Sequence, residues 1–265
     1  MSEASELREA CVEAARRGGE VLRRKWGSHR TVEYKGGIDL VTDADRASEE
    51  ATLGFLRDRF PEAAVLSEES GASGAGSASL RFFVDPLDGT TNYAHGVPYF
   101  AVNVAVEDER GLVAGATHDP MRGEMFAAAR GEGAHLDGEA IHVSGAKDLS
   151  RALLCTGFPY DVHQDPEAPL HLVAAYVRRS RGLRLFGAAA LDLAHVACGR
   201  VDGFWLMKLM PWDVAAGIVL VREAGGAVAD FDGGDRMLHG GTLCAASPDL
   251  QKLLLEVLAQ ARGKG

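Results

Sequence analysis

The sequence predicts an α/β protein built in two portions, and three observations carry that reading. Charged stretches with apolar residues at helical spacing open the chain, which marks amphipathic helices. Short apolar runs then follow one another from residue 64 to 143, with glycine-broken turns among them, as strands and hairpins do. After Ser150 the pattern changes to strand, helix, strand, helix.

The first 25 or so residues read as one helix, with Leu7, Cys11, Ala14, Ala15, Val21 and Leu22 recurring among charges. A second helix is expected from Asp45 to Phe60, turning Ala51, Leu53, Leu56 and Phe60 inward until Pro61 stops it. Strands are expected at Ala64–Leu66, Arg81–Val84, Phe100–Val106 and Leu112–Ala116. Gly131, Gly133 and Gly138 break the stretch from Glu124 to Val143 into hairpins. Further on come a strand at Ala152–Cys155 and helices near Leu170–Arg179 and Ala188–Cys198. A strand at Gly203–Leu206, a helix at Asp213–Ala224, a strand at Ala227–Asp230 and a helix from Pro248 complete the chain. The change of pattern places the division near residues 145–150, giving portions 1–147 and 148–265. The stretch Gly71 to Ser79 is rich in Gly, Ala and Ser and reads as a flexible loop behind Glu68 and Glu69.

Composition narrows the function. With 46% hydrophobic and 25% charged residues the chain can bury a globular core. A net charge of −10 argues against a nucleic-acid surface, though not against an anionic substrate, since bound divalent cations reverse the local sign of a site. Cys11, Cys155, Cys198 and Cys244 lie far apart and fit neither a zinc site nor a disulfide framework, so a reducing compartment is expected. The Ser/Glu-rich start is no signal peptide, and no apolar stretch would span a bilayer. A cytoplasmic protein with no membrane or nucleic-acid partner is the expectation.

Four segments carry chemistry. The first, Asp85-Pro86-Leu87-Asp88-Gly89-Thr90-Thr91-Asn92, follows the apolar run Phe82-Phe83-Val84. In a regular strand Asp85 and Asp88 would point to opposite faces. A turn at Pro86, freed by Gly89, can bring both carboxylates and the Leu87 carbonyl to one side. That is an oxygen-only anionic set, suited to a hard cation such as magnesium at roughly 2.1 Å. The Gly-Thr-Thr continuation offers N–H groups and hydroxyls to a phosphate. The others are Pro211 to Gly217 with Asp213 at a helix start, Leu66-Ser67-Glu68-Glu69 at a strand end, and Gly37 to Asp45. Read alone, these three are helix caps and a solvated strand end.

Together, in this order, the four segments resemble the inositol monophosphatase family, part of the lithium-sensitive, magnesium-dependent phosphatase superfamily that includes fructose-1,6-bisphosphatase. The match runs from Asp39-Leu40-Val41-Thr42 to Glu223-Ala224-Gly225-Gly226. The resemblance implies a layered αβαβα sandwich, with a mainly antiparallel sheet first, a mixed sheet second, and the active site where they meet. It implies that Glu68, Asp85 and the Leu87 carbonyl hold one magnesium, that Asp85, Asp88 and Asp213 hold a second, and that Glu68 helps a third through water. Five clustered carboxylates would otherwise repel one another. Asp45 and Thr90, with Glu68, are the implied catalytic groups that orient and deprotonate an attacking water. Asp88, Gly89, Thr90, Gly187, Ala188, Ala189 and Leu206 fall at implied substrate positions. A homodimer is also implied.

Two of those positions depart from the family. Leu206 stands seven residues before Asp213, where a glutamate is typical, and Gly187-Ala188-Ala189 replaces a Gly-Thr/Ser-Ala segment. A buried substrate hydroxyl left without its partner there costs about 1–3 kcal/mol. Lys208, Arg178, Arg179, Arg181 and Arg184 are candidates for a second anionic group, or are simply solvated. The expected activity is thus hydrolysis of inositol-1-phosphate or a related sugar or polyol phosphate. Fructose-1,6-bisphosphate and histidinol phosphate are alternatives on the same scaffold, and a regulatory protein-binding role is an alternative of another class.

Overall fold

The computed structural model describes residues 2–27, 32–34, 40–74 and 78–263, with the backbone alone given for 32–34, 40 and 41. Helix α1 (Glu3–Lys25) begins at Ser2, whose hydroxyl accepts from Ser5 N. Acids in its first turn and bases in its last complement the helix dipole. Leu7, Cys11, Ala14, Ala15 and Leu22 form its buried stripe. Helix α2 (Asp43–Arg59) lies beside it and buries Leu53 and Leu56.

Strands β1 (Val32–Tyr34) and β2 (Leu40–Thr42) make a separate antiparallel ribbon. An eight-stranded sheet follows, from β3 (Ala64–Ser67), β4 (Gly71–Ser73), β5 (Arg81–Asp88), β6 (Ala101–Asp108), β7 (Gly111–Asp119), β8 (Glu124–Ala129), β9 (Gly133–Leu136) and β10 (Glu139–Ile141). Its order is β10-β9-β8-β7-β6-β5-β3-β4, and every neighbouring pair is antiparallel except β3 with β5. The short helix α3 (Thr90–His95) separates β5 from β6. The later elements are β11 (Leu153–Thr156), α4 (Glu167–Val177), β12 (Gly182–Arg184), α5 (Ala189–Ala197), β13 (Gly203–Met207), α6 (Pro211–Glu223), β14 (Ala227–Ala229), α7 (Met237–Gly240), β15 (Thr242–Ala246) and α8 (Pro248–Arg262). Their sheet, β12-β11-β13-β15-β14, is mixed: β11 is parallel to both its neighbours, and β15 is antiparallel to both of its own.

The elements stack in five layers, the αβαβα sandwich. Helices α1 and α2 cover one face of the large sheet, and α6 with α5 fills the space between the sheets. Helices α4 and α8 close the far side. Alternation along β13 shows the layering directly: Phe204 and Leu206 join the core around α5 and α6, while Trp205 joins the outer core with Tyr176 and Leu254.

One expectation changes here. Gly71–Ser73 is not part of a flexible loop but an edge strand, because pairing with β3 orders a segment whose own side chains specify nothing. Residues 75–77 of that stretch lie outside the described residues, as do residues 37–39 of the segment leading to Asp45.

The middle layer sits close to the large sheet because β7 carries Gly115. A Cβ there would lie 2.6 Å from Ala216 Cα and 2.9 Å from its Cβ, on a helix backbone that cannot step aside. Gly115→Ala is therefore expected to destabilise by about 1–3 kcal/mol, lowering Tm by roughly 2–10 °C. Gly54→Ala, on α2 where a Cβ meets nothing within 4 Å, is expected to raise Tm slightly. Thermal melts of both variants check the opposite signs.

Candidate active site

The site begins with an irregularity in β5. Asp85 pairs with Asn103 of β6, yet Asp88 pairs with Ala101, so three steps along β5 answer two along β6. This bulge shifts the alternation by one residue and returns Asp88 to the face that Asp85 occupies. The expected turn at Pro86 is thus corrected: the strand runs on to Asp88, and proline's missing N–H falls at the bulge, where no ladder bond is lost. Asp85 Oδ1 accepts Leu87 N at 3.0 Å, and Ser48 of α2 donates to the Pro86 carbonyl at 2.7 Å. Gly89 then turns the chain with φ 90°. A Cβ on it would stand 3.1 Å from the Tyr99 carbonyl and 3.2 Å from Ala188 Cβ, so glycine lets this segment approach the start of α5.

That approach joins the two sheets' layers. Helix α5 has Ala188 at its N-cap and no side-chain cap of its own. Asp88 supplies one from a hundred residues away in the chain: Oδ1 accepts Ala189 N at 3.2 Å and Oδ2 accepts Ala190 N at 2.7 Å. Behind it, Tyr99 donates to Asp192 at 2.9 Å and lies 3.3 Å from His195 Nδ1. Burial pushes the Asp192 carboxyl up and the His195 imidazole down to about 4. Asn92 donates to the carbonyls of Tyr99 and Phe186, both at 2.8 Å, and so fixes the loop before Gly187.

Asp45 and Asp213 do not begin their helices. Each is the third residue and reaches back to the N-cap amide: Asp45 Oδ2 accepts Thr42 N at 2.8 Å, and Asp213 Oδ2 accepts Met210 N at 2.7 Å. One oxygen of each acid is used locally. The other oxygen of Asp45, fully buried, lies 3.0 Å from Thr90 Oγ1. The Thr90 hydroxyl also lies 2.9 Å from the Leu87 carbonyl.

Two positioning residues escaped the sequence reading. Asn103, buried in β6, donates to the Trp212 carbonyl at 2.6 Å and accepts from Thr117 at 2.7 Å, which fastens the start of α6 beside β5. An asparagine inside the apolar run Phe100–Val106 is the signal that marks it. Glu49 of α2 accepts from Ser70 N at 3.0 Å and from the Ser67 hydroxyl, holding the strand end that carries Glu68.

Electrostatically these acids face one another. Burial pushes the Asp85 carboxyl well above its ordinary range, and the carboxylates of Glu68, Asp88 and Asp213 push it further. Burial likewise raises Asp88 and Asp213 to about 7, against the hydrogen bonds they receive from backbone amides. Asp45 is raised by burial too. Among the described residues no three His, Cys, Asp or Glu side chains close into a finished metal cage. The donor set nonetheless fits hard divalent cations, which take carboxylate and carbonyl oxygens and keep several waters. The positive charge would offset the burial and mutual repulsion that raise these carboxyls.

The chain matches the family described as "Inositol monophosphatase family" over residues 3–263. The protein belongs to the inositol monophosphatase family. A relative from Salmonella typhimurium (strain LT2), "Nus factor SuhB", is 40% identical over 246 residues, 92% of each chain. One of the same name from Pseudomonas aeruginosa is 42% identical over 254 residues, 93% of each. Among solved structures, the extragenic suppressor protein suhB from Bartonella henselae superposes with TM-score 0.90 at 39% identity, covering 94% of this chain and 97% of that one. The inositol monophosphatase from Anabaena (Nostoc) sp. PCC 7120 does so with TM-score 0.89 at 36% identity, covering 98% and 97%.

Within this inositol monophosphatase fold the structure brings Glu68, Asp85, Asp88 and Asp213 together and sets Asp45 against Thr90. Gly89, Gly187 and Ala188 meet at the head of α5. Leu206, 9% exposed, packs in the inner core with its methyls beside Gly157. Three of the five cations separate: Arg179 is spent on the Ala175 carbonyl and Gln260 in the outer layer, whereas Lys208 follows β13 directly. Arg181 sits at the opposite end of the sheet from Lys208, its amide on the Ala152 carbonyl.

Raised carboxyls in the folded state mean that folding takes up protons. Their stabilising contribution is complete below the unfolded carboxylate range near pH 4 and is lost as pH rises through about 7. The metal-free protein is therefore expected to lose Tm across that window, and Asp88→Asn or Asp213→Asn to flatten the loss. Added magnesium should raise Tm most at the upper end. Melts in chelator and in magnesium at several pH values check this, and equal slopes in wild type and variants would contradict it.

Proposed function

We propose that the protein is a magnesium-dependent phosphomonoesterase acting on a small phosphorylated polyol or sugar. The observation that carries this reading is the convergence of four carboxylates that raise one another's pKa, beside the buried Asp45–Thr90 pair. Glu68, Asp85 and the Leu87 carbonyl would hold one magnesium, and Asp85, Asp88 and Asp213 a second, with Glu68 reaching a third through water. Bound there, magnesium supplies positive charge to the phosphoryl oxygens and lowers the pKa of water.

The chain's own groups do the rest. Thr90 accepts a hydrogen bond from the attacking water, and Asp45, its pKa raised by burial, takes the proton through it. The amides of Gly89 and Thr90 face the phosphate oxygens. Attack is in line, without a covalent phosphoenzyme, and the alcohol leaves toward Gly187, Ala188, Ala189 and Leu206. Leu206 and Ala188 take two hydrogen-bonding groups from that side, which loosens specificity for inositol-1-phosphate toward related sugar or polyol phosphates, with fructose-1,6-bisphosphate and histidinol phosphate as alternatives. The same reading places a homodimer in the cytoplasm, with portions 1–147 and 148–265 meeting at the site.

A second, regulatory reading is favoured by one observation: relatives about 40% identical over 92% of the chain carry the name Nus factor. A protein-binding role beside catalysis accommodates it. A pull-down returning a stoichiometric partner, with no phosphate released from any substrate, would put this reading first.

The deciding assay is phosphate release from a panel of monophosphates and bisphosphates with and without magnesium. Hydrolysis is expected only with magnesium, and Asp88→Asn or Asp213→Asn should lower it by at least about 100-fold. Near-normal turnover in either variant at limiting magnesium would dissolve the assigned cluster. Leu206→Glu should improve inositol-1-phosphate relative to the rest of the panel, and an unchanged ranking in the folded variant would remove Leu206 from the alcohol pocket.

A further inference from the structure

Among the described residues two non-glycines adopt positive φ, Asp137 at 51° and Lys208 at 59°. Asp137 forms with Gly138 the two-residue turn between β9 and β10, where such φ values are required and aspartate tolerates them. Lys208 has no such explanation. It is the first residue after β13, in a conformation that glycine adopts freely and lysine adopts at a penalty. A lysine there gives up the backbone ease of glycine and carries an ammonium in its place.

Its partner within the chain does not account for that. Lys208 Nζ meets Asp161 Oδ2 at 2.5 Å, but the two side chains remain 52% and 41% exposed. Exposed ion pairs of this kind contribute little to stability. The pair is also one-sided: Asp161 Oδ1 is buried with no hydrogen-bond partner among the described residues. Such a contact opens easily.

Its position is the telling part. Strands β11 and β13 are parallel, so the loops carrying Asp161 and Lys208 leave from one end of the sheet. The residue after Lys208 is pinned, Leu209 N donating to the Gly241 carbonyl at 3.0 Å. The next, Met210, gives its N–H to the Asp213 carboxylate at 2.7 Å. Two residues span at most about 7 Å, so Lys208 stands at the rim of the carboxylate site, beyond Leu206.

We infer that Lys208 is a specificity residue that receives a second anionic group of the substrate, distant from the phosphate being cleaved. The incoming group replaces Asp161 at the ammonium. A polyol bisphosphate fits this arrangement, and a monophosphate leaves Lys208 with Asp161. The inference rests on the phosphomonoesterase reading for the identity of the cleaved group.

The test measures calorimetric binding, with magnesium, of two hydrolysis-resistant ligands: a polyol monophosphonate and the bisphosphonate of the same polyol. Wild type is expected to prefer the bisphosphonate by about tenfold. Lys208→Gly should lose that preference while binding the monophosphonate as before, with Tm equal to or above wild type because the backbone is relieved. Lys208→Arg should keep part of the preference. Arg178→Gln, an equal charge change on the outer layer, should keep all of it. A preference unchanged in Lys208→Gly, or two affinities that weaken together, would overturn the inference, and no saturable binding of either ligand would overturn it with the reading beneath it. A Lys208-dependent preference in a protein that releases no phosphate would leave the inference standing and sink only the hydrolase.

Discussion

Asp88 ends a strand of one sheet, caps a helix of the next layer and faces three other carboxylates, and most of the site depends on that one side chain. The amides of Ala189 and Ala190 draw it toward α5, while Glu68, Asp85 and Asp213 repel it. Backbone N–H groups at a helix start are fixed dipoles that favour negative charge. They hold the carboxylate in place without neutralising it, which leaves it available to a cation.

The other acids follow the same logic. Asp45 and Asp213 each use one oxygen to complete a helix N-terminus, which leaves the second for Thr90 in Asp45 and for the carboxylate cluster in Asp213. Apart from Glu49, the supporting residues are uncharged: Asn103, Asn92, Ser48 and Thr117 bind backbone or each other and fix α6, α3 and the β5 bulge by hydrogen bonds that add no countercharge. Much of the rigidity needed for positioning is thus supplied by neutral polar contacts. Local rules of stability broken at one place, with compensation around it, are what functional sites show.

Much of this was legible beforehand, for identifiable reasons. Strong periodicity located α1, α2 and α8, and the Asp85 to Asn92 segment with Asp213 revealed the acids, because those features are local. The bulge was not legible: Pro86 and Gly89 suggested a turn, and only the pairing of β5 with β6 shows that the strand continues. β4, β12 and β15 were missed because three to five residues of small or mixed character become strands only when a neighbour pairs with them. The capping of α5 by Asp88 joins residues a hundred positions apart, and the φ of Lys208 leaves no trace in composition.

Near neutral pH this cluster is expected to hold protons that a divalent cation displaces. The most direct measurement is the number of protons released on magnesium binding, from calorimetry in buffers of different ionisation enthalpy between pH 6 and 9. The account predicts net release near pH 7 that falls toward zero as the pH rises past the raised carboxyls, and that shrinks in Asp213→Asn. Magnesium binding with no proton release across the range, or no saturable binding at all, would contradict it.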